Sequence, residues 1–241
     1  MMRDTRQVRI VPVSAALTGI SSMATRQVLS DLAALFKEAS GRNVTIESVG
    51  GVDAAKRVRA GETFDLVLLA EDALEKLEAE GHVLSGSRTG FVRSALAVAY
   101  KTGTPTPDFT DEASVRAALM AAKGIGYSTG PSGTYLVNLI KSWGLESAIG
   151  DKLKQAPPGV PVGSMVANGD VELGFQQLSE LITLPGLEII DPLPPGVAYV
   201  TLFSGAVGAH ARGPEGAQAF LSFLASPQTV ECKRANGMAP A

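Results

Sequence analysis

The sequence predicts an α/β fold of two lobes, each a parallel sheet wrapped by helices, joined by two long strands. Three observations lead there. Strand-like apolar runs alternate with helical periodicity from Val8 to Gly81, the order that builds a parallel sheet. A second alternating unit begins after residue 90. Two long aliphatic runs, residues 91–100 and 199–209, bracket that unit, as strands leaving a first lobe and returning to it would.

Taken in order, residues 8–13 (VRIVPV) read as a buried strand that Pro12 brings to its end. Over residues 22–39, Met23, Val28, Leu29, Leu32, Leu35 and Phe36 fall at helical spacing, and Gly41 stops the helix. Residues 44–49 form a second strand ended by Gly50 and Gly51, and residues 53–60 a short helix stopped by Gly61. Residues 64–69 are apolar except Asp65, as expected of a strand covered on both faces, and residues 71–79 are a helix closed by Gly81. In the second unit, the strand at 91–100 leads through a loop with Pro105 and Pro107 to a helix at 111–123 and a short strand at 124–128. A loop at 129–133 and a helix at 135–143 follow, then a turn-rich link at 157–162 and a short helix ending at 165–168. Strands at 171–176, 187–190 and 199–209 precede a helix at 214–225 and a short one from Pro227. The lobes are therefore expected as residues 1–92 with 200–241, and residues 93–199, with crossings near Ser94 and Thr201. A crevice would lie between them, where strand ends meet helix N-termini.

Composition narrows the function. With 45% hydrophobic and 19% charged residues, the 241-residue chain has ample core and no character of disorder. Aromatics are 5% against 26 Gly and 14 Pro, so the core is aliphatic and the turns are tight. A net charge of −3 argues against a nucleic-acid partner. One cysteine (Cys232) and two histidines (His82, His210) exclude a disulfide framework and Cys- or His-rich metal centres, so neither metal nor cofactor is expected. Apolar runs are strand-length, which predicts a chain not inserted in a membrane; a monomer is expected. Met1 to Val8 is polar, without an apolar h-region. As it stands the chain reads as cytoplasmic, and as periplasmic if an export signal was removed ahead of it.

Three loops at strand ends are made of small polar residues: Ser14 to Gly19, which includes Thr18; Gly50-Gly51-Val52; and Ser128 to Thr134. A helix N-terminus offers unpaired N–H groups and partial positive charge, and glycine lets an anion approach the backbone. Each loop alone also reads as an ordinary helix cap. Three of them at equivalent strand ends point to anion binding. None fits a phosphate loop, since no lysine follows the glycines in register, and G-x-G-x-x-G is absent.

The runs FDLVLLAEDALEKLEAEGHVLSGSR (64–88), IGYSTGPSGTYLVNLIKSWGL (125–145) and GDVELGFQQLSELITLPGLEIIDPLP (169–194) resemble extracellular solute-binding proteins related to molybdate-binding protein. SGTY and GFQQLSEL resemble the branch not dedicated to molybdate, which includes aconitate isomerase-like proteins. The resemblance spans nearly the whole chain and implies the type II periplasmic-binding fold: two Rossmann-like lobes, a two-strand hinge and an anion in the cleft. It places family ligand positions at Ser14, Gly51, Ser132, Gly133 and the Gln176-Gln177 neighbourhood. Thr18, Gly50, Val52, Ser128 and Thr134 join them from the loops above. Gln176, Gln177 and Ser179 stand where molybdate binders use a tyrosine, and the stretch 18–22 before the first helix is longer. Both departures favour a carboxylate-bearing metabolite over a tetrahedral oxyanion.

Among charged residues, Arg93, Arg88 and Arg26 are candidates to clamp a carboxylate, with surface solvation as the competing reading; Arg93 is the one carried into the binding set. His82, His210 and Cys232 read as structural or surface groups. Glu180 and Asp65 are lone carboxylates, so no acid–base pair is legible and a catalytic residue stays unassigned. The leading function is capture of a di- or tricarboxylate as the solute-receiving subunit of a transporter, with a permease as partner. The alternative is an isomerase of an unsaturated tricarboxylate, interconverting cis- and trans-aconitate by allylic proton transfer. A sensory module would need a DNA-binding domain, for which no residues remain.

Overall fold

The structure is a computed structural model describing residues 16–157 and 159–241. The strand expected at residues 8–13, and Ser14 after it, lie outside the described residues. The first described strand, β1 (Leu17–Ser22), occupies a stretch where the sequence predicts a loop and the start of a helix. Only Leu17 and Ile20 of its run LTGISS are large and apolar, the rest being small or polar, which masks a strand lying between two parallel neighbours. Close packing explains the composition: a Cβ on Gly19 would stand 3.2 Å from Leu66 and 3.3 Å from Ile46. The buried Ser21 hydroxyl is satisfied by Ser48 Oγ at 2.8 Å.

A short turn leads into α1 (Arg26–Ser40), which Gly41 ends in the left-handed conformation at φ +72°. Then come β2 (Val44–Val49), α2 (Gly51–Arg59), the fully buried β3 (Leu66–Ala70) and α3 (Glu71–Ala79). The long β4 (Thr89–Lys101) leads to α4 (Glu112–Ala121), β5 (Ile125–Tyr127), α5 (Pro131–Ser142), α6 (Glu146–Ile149) and β6 (Leu153–Gln155). Next are α7 (Val162–Asn168), β7 (Leu173–Gln177), α8 (Leu178–Leu181) and β8 (Leu187–Ile190). The chain closes with β9 (Val200–Val207), α9 (Pro214–Leu224), α10 (Val230–Ala235) and β10 (Ala239–Pro240).

The strand order is β2-β1-β3-β9-β4-β7-β5-β6, with β8 and β10 also pairing β4. β1 runs parallel to β2 and β3, and β5 runs parallel to β6 and β7. β4 links these two parallel sets: Thr89 to Ala95 pair with β9, and from Leu96 onward the strand pairs with β7 and β8. Each set is apolar on both faces. Leu32, Leu68 and Phe220 belong to the core on one face of the first, and Ile20, Leu69 and Leu77 to the core on the other. Leu119, Leu136 and Phe175 pack one face of the second, and Val162, Val166 and Leu181 the opposite one. This is a two-lobed α/β fold. Among the described residues no helix is long and apolar enough to cross a membrane.

Candidate functional site

Parallel strands direct their carboxyl ends the same way, and here the ends of both sets open onto one cleft of about 590 Å3. That is the size range of small-molecule sites. One wall comes from Ser22 to Ala24 after β1, Gly50 to Val52 at the start of α2, and Ala70 with Ala73 at α3. The other comes from Ser128 to Ser132, Ala156, Pro157 and Gly159 to Pro161 of the link, and Gln176, Gln177 and Glu180 after β7. Tyr199 and Phe203 also line it.

Of the helices that begin at these walls, α2 and α5 have glycine caps and glycine in the first turn. In α2, Gly50 is the cap residue and its carbonyl accepts from Ala54 N at 2.8 Å, so the amides of Gly51, Val52 and Asp53 have no intrahelical partner. In α5, Pro131 takes the first position and Thr134 N donates to the Gly130 carbonyl at 3.1 Å, which leaves the amides of Ser132 and Gly133 free of the helix ladder. The sequence predicts this helix from Tyr135. It starts four residues earlier, because proline suits the first helical position, and Ser132, Gly133 and Thr134 lie in its first turn. Gly133 is required there, since a Cβ would fall 1.8 Å from the Ser128 carbonyl oxygen. Beside it, Ser128 Oγ and Ser132 Oγ lie 3.1 Å apart, and Ser128 Oγ accepts from Gly130 N at 3.3 Å. One proton lies between the two hydroxyls, leaving one to donate elsewhere.

The cleft also receives groups that pattern reading passed over. Lys56 and Arg59 of α2 and Lys76 of α3 line the first wall; Lys56 Nζ is 3.7 Å from Asp53, and Arg59 pairs with Glu80 at 2.6 Å. Helical spacing alone does not separate a charged face that meets solvent from one that meets a cleft. Tyr135 and Tyr199 stack in the cleft wall with ring centroids 4.3 Å apart. Burial pushes the Tyr135 hydroxyl up, and Tyr199 and Glu112 add to it.

Other predicted residues lie elsewhere or do structural work. Thr18 sits near the opposite end of β1, because the strand begins at Leu17; its N and Oγ1 donate to Asp65 Oδ2 at 2.9 and 3.1 Å. Ser22 to Ala24 take its place at the cleft. Arg93 is held outside the cleft by the Pro240 carbonyl at 3.2 Å. Arg88 is enclosed by Glu71, Glu75 and Glu78, and Arg26 lines a depression between α1 and β2. Ser179 Oγ donates to the Ala24 carbonyl at 2.9 Å and lies 3.3 Å from Ser94 Oγ, joining α8 to the loop after β1. Gln177 is buried; with its amide turned to satisfy both ends, Nε2 donates to the Ser94 carbonyl (3.0 Å) and Oε1 accepts from Thr201 Oγ1 (2.6 Å). It clasps β4 to β9 where the chain passes between the parallel sets.

Gln176 and Glu180 form one unit. Gln176 Oε1 accepts from the amides of Val162 (2.9 Å) and Gly163 (3.4 Å), which turns its Nε2 to donate to Glu180 Oε1 at 2.9 Å. Burial pushes the Glu180 carboxyl up to about 7, with the Gln176 N–H opposing. The signal for Glu180 was present in GFQQLSEL: four residues past Gln176, just beyond a strand end. No cluster of three or more His, Cys, Asp or Glu suited to a metal ion occurs among the described residues.

A two-lobed α/β fold with one cleft at the strand ends defines a solute-binding class of protein. The family model of bacterial extracellular solute-binding proteins matches residues 17–239, and the chain belongs to that family. Aconitate isomerase of a Pseudomonas species is 32% identical over 246 aligned residues, covering 100% of this chain and 93% of that protein. Molybdate-binding protein ModA of Azotobacter vinelandii is 25% identical over 225 residues, covering 87% of this chain and 84% of that protein. The solved periplasmic molybdate-binding protein of Azotobacter vinelandii superposes with a TM-score of 0.75 at 22% identity, over 92% of this chain and 98% of that one. At that identity the likeness speaks for the fold, a type II periplasmic-binding fold.

Proposed function

We propose that the cleft captures a di- or tricarboxylate anion between two lobes that close on it. The observation that carries this reading is the pair of helix starts on facing walls, α2 and α5, whose first-turn amides lack helical partners. Two anion-holding ends across one cavity suit a ligand charged at more than one end better than a single tetrahedral oxyanion. The Ser128 and Ser132 hydroxyls supply neutral donation, and Lys56, Arg59 and Lys76 supply positive charge. On this reading the lobes are the chain up to residue 92 with 200–241, and residues 93–199. The protein works in the periplasm and passes its ligand to a transporter permease. A thermal-shift panel tests the ligand class: di- and tricarboxylates should stabilise the protein more than molybdate, by about 2.7 kcal/mol at 100 times the dissociation constant. A larger shift with molybdate or tungstate would contradict it.

A second reading, catalysis, draws on the whole-length relative that is an aconitate isomerase and on the carboxylate in the cleft. In it the bound anion is an unsaturated tricarboxylate whose allylic proton is moved. Incubation with cis- or trans-aconitate, followed by chromatography, separates binder from isomerase.

A further inference from the structure

We propose that Glu180 is the catalytic acid–base residue of this cleft, moving an allylic proton within a bound unsaturated tricarboxylate, and that Gln176 is its positioning residue. The inference rests on the reading of the cleft as a carboxylate site and deepens its catalytic form.

The geometry is specific. Glu180 lines the cleft on α8, and one of its carboxylate oxygens is held by Gln176, itself fixed by the amides of Val162 and Gly163. Oε2 has no protein partner among the described residues. The carboxylate is therefore fixed at one oxygen and open at the other, as a group exchanging a proton with a ligand must be. Other titratable groups lining the cleft are Asp53, Lys56 and Arg59 of α2, Asp72 and Lys76 of α3, and Tyr135 and Tyr199. From the strands against α8, β4 contributes Arg93, whose guanidinium is bound to the Pro240 carbonyl, and Lys101 at its far end. β7 and α7 contribute no charged side chain. The shift in Glu180 arises from burial, opposed by Gln176, so the group accepts and returns a proton near neutral pH.

The step balances without a co-reactant. Glu180 takes a proton from the methylene carbon; that C–H pair becomes the new C=C bond. The former double-bond pair receives the proton at the carbon two positions away. One carboxylate serves both carbons, because only a single carbon separates them. Charge developing on the adjoining ligand carboxylate falls to the free amides and hydroxyls of the α5 start.

The test compares wild type, Glu180→Gln and Glu180→Asp with cis- and trans-aconitate, measuring binding by calorimetry and interconversion by chromatography. Wild type should interconvert the two. Glu180→Gln should bind with nearly unchanged affinity yet lose turnover by about 100-fold or more, the usual contribution of a positioned base. Glu180→Asp should keep part of the activity. Turnover by Glu180→Gln near the wild-type rate overturns the assignment of Glu180. Wild type that binds but does not interconvert overturns the catalytic inference and leaves the capture reading standing. Wild type that binds neither compound overturns both.

Discussion

A carboxyl group in an anion-binding cleft resists ionisation twice, through burial and again when an anion arrives. Folding holds Glu180 protonated between its ordinary 4.5 and about 7, a range in which the unfolded chain has released that proton. Its contribution to stability is full below about 4.5 and is lost as pH rises through about 7. Glutamine keeps the shape and cannot ionise. Glu180→Gln should therefore melt higher than wild type at pH 8, by a margin that narrows at pH 5; a margin independent of pH would contradict this. Ser132 tests the anion contact itself. Hydrogen bonds to charged groups are worth about 1.5–3 kcal/mol, so Ser132→Ala should weaken tricarboxylate binding by roughly 10- to 150-fold in calorimetric titration. Its melting temperature should change little, since the folded protein loses only the Ser128 contact. The sequence displays Glu180 as a lone carboxylate. Its relation to Gln176 depends on the amides of Val162 and Gly163, which come from another part of the chain and leave no local pattern.

At the scale of elements, the start of α5 depends on one glycine more than the start of α2 does. A Cβ at Gly133 would collide with the Ser128 carbonyl at 1.8 Å, whereas one at Gly51 would meet only Ser22 Cβ at an ordinary 3.5 Å. Gly133→Ala should lower the melting temperature and abolish anion binding together. Gly51→Ala should leave the melting temperature close to wild type; equal losses in both variants would contradict the difference. Most elements are legible because glycines stop the helices and the buried strands are uniformly apolar, as at Gly41 and β3. β1 escapes that logic. Its serines and glycine are small because neighbouring strands crowd it, and its buried hydroxyl pairs across the sheet. The start of α5 escapes for a similar reason: a Pro-Ser-Gly run looks like a loop until the free amides of a first turn are counted.

At the scale of the molecule, β4 and β9 run side by side through the junction of the two parallel sets, and Gln177 clasps them there. The two-set architecture is legible from strands and helices alternating twice with long apolar runs between. The cleft's cations and tyrosines are not, because helical charge spacing looks the same whether a face meets solvent or an opposing lobe. The proposed function rests on one claim, that this cavity holds an anion with carboxylates at more than one end; the free amides and the cleft cations are what support it. Calorimetric titration of the wild-type protein with trans-aconitate and with molybdate, in the same buffer, tests it most directly. The account predicts saturable one-to-one binding of the tricarboxylate and weaker or no binding of molybdate. Tight binding of molybdate with no heat from the tricarboxylate would contradict it.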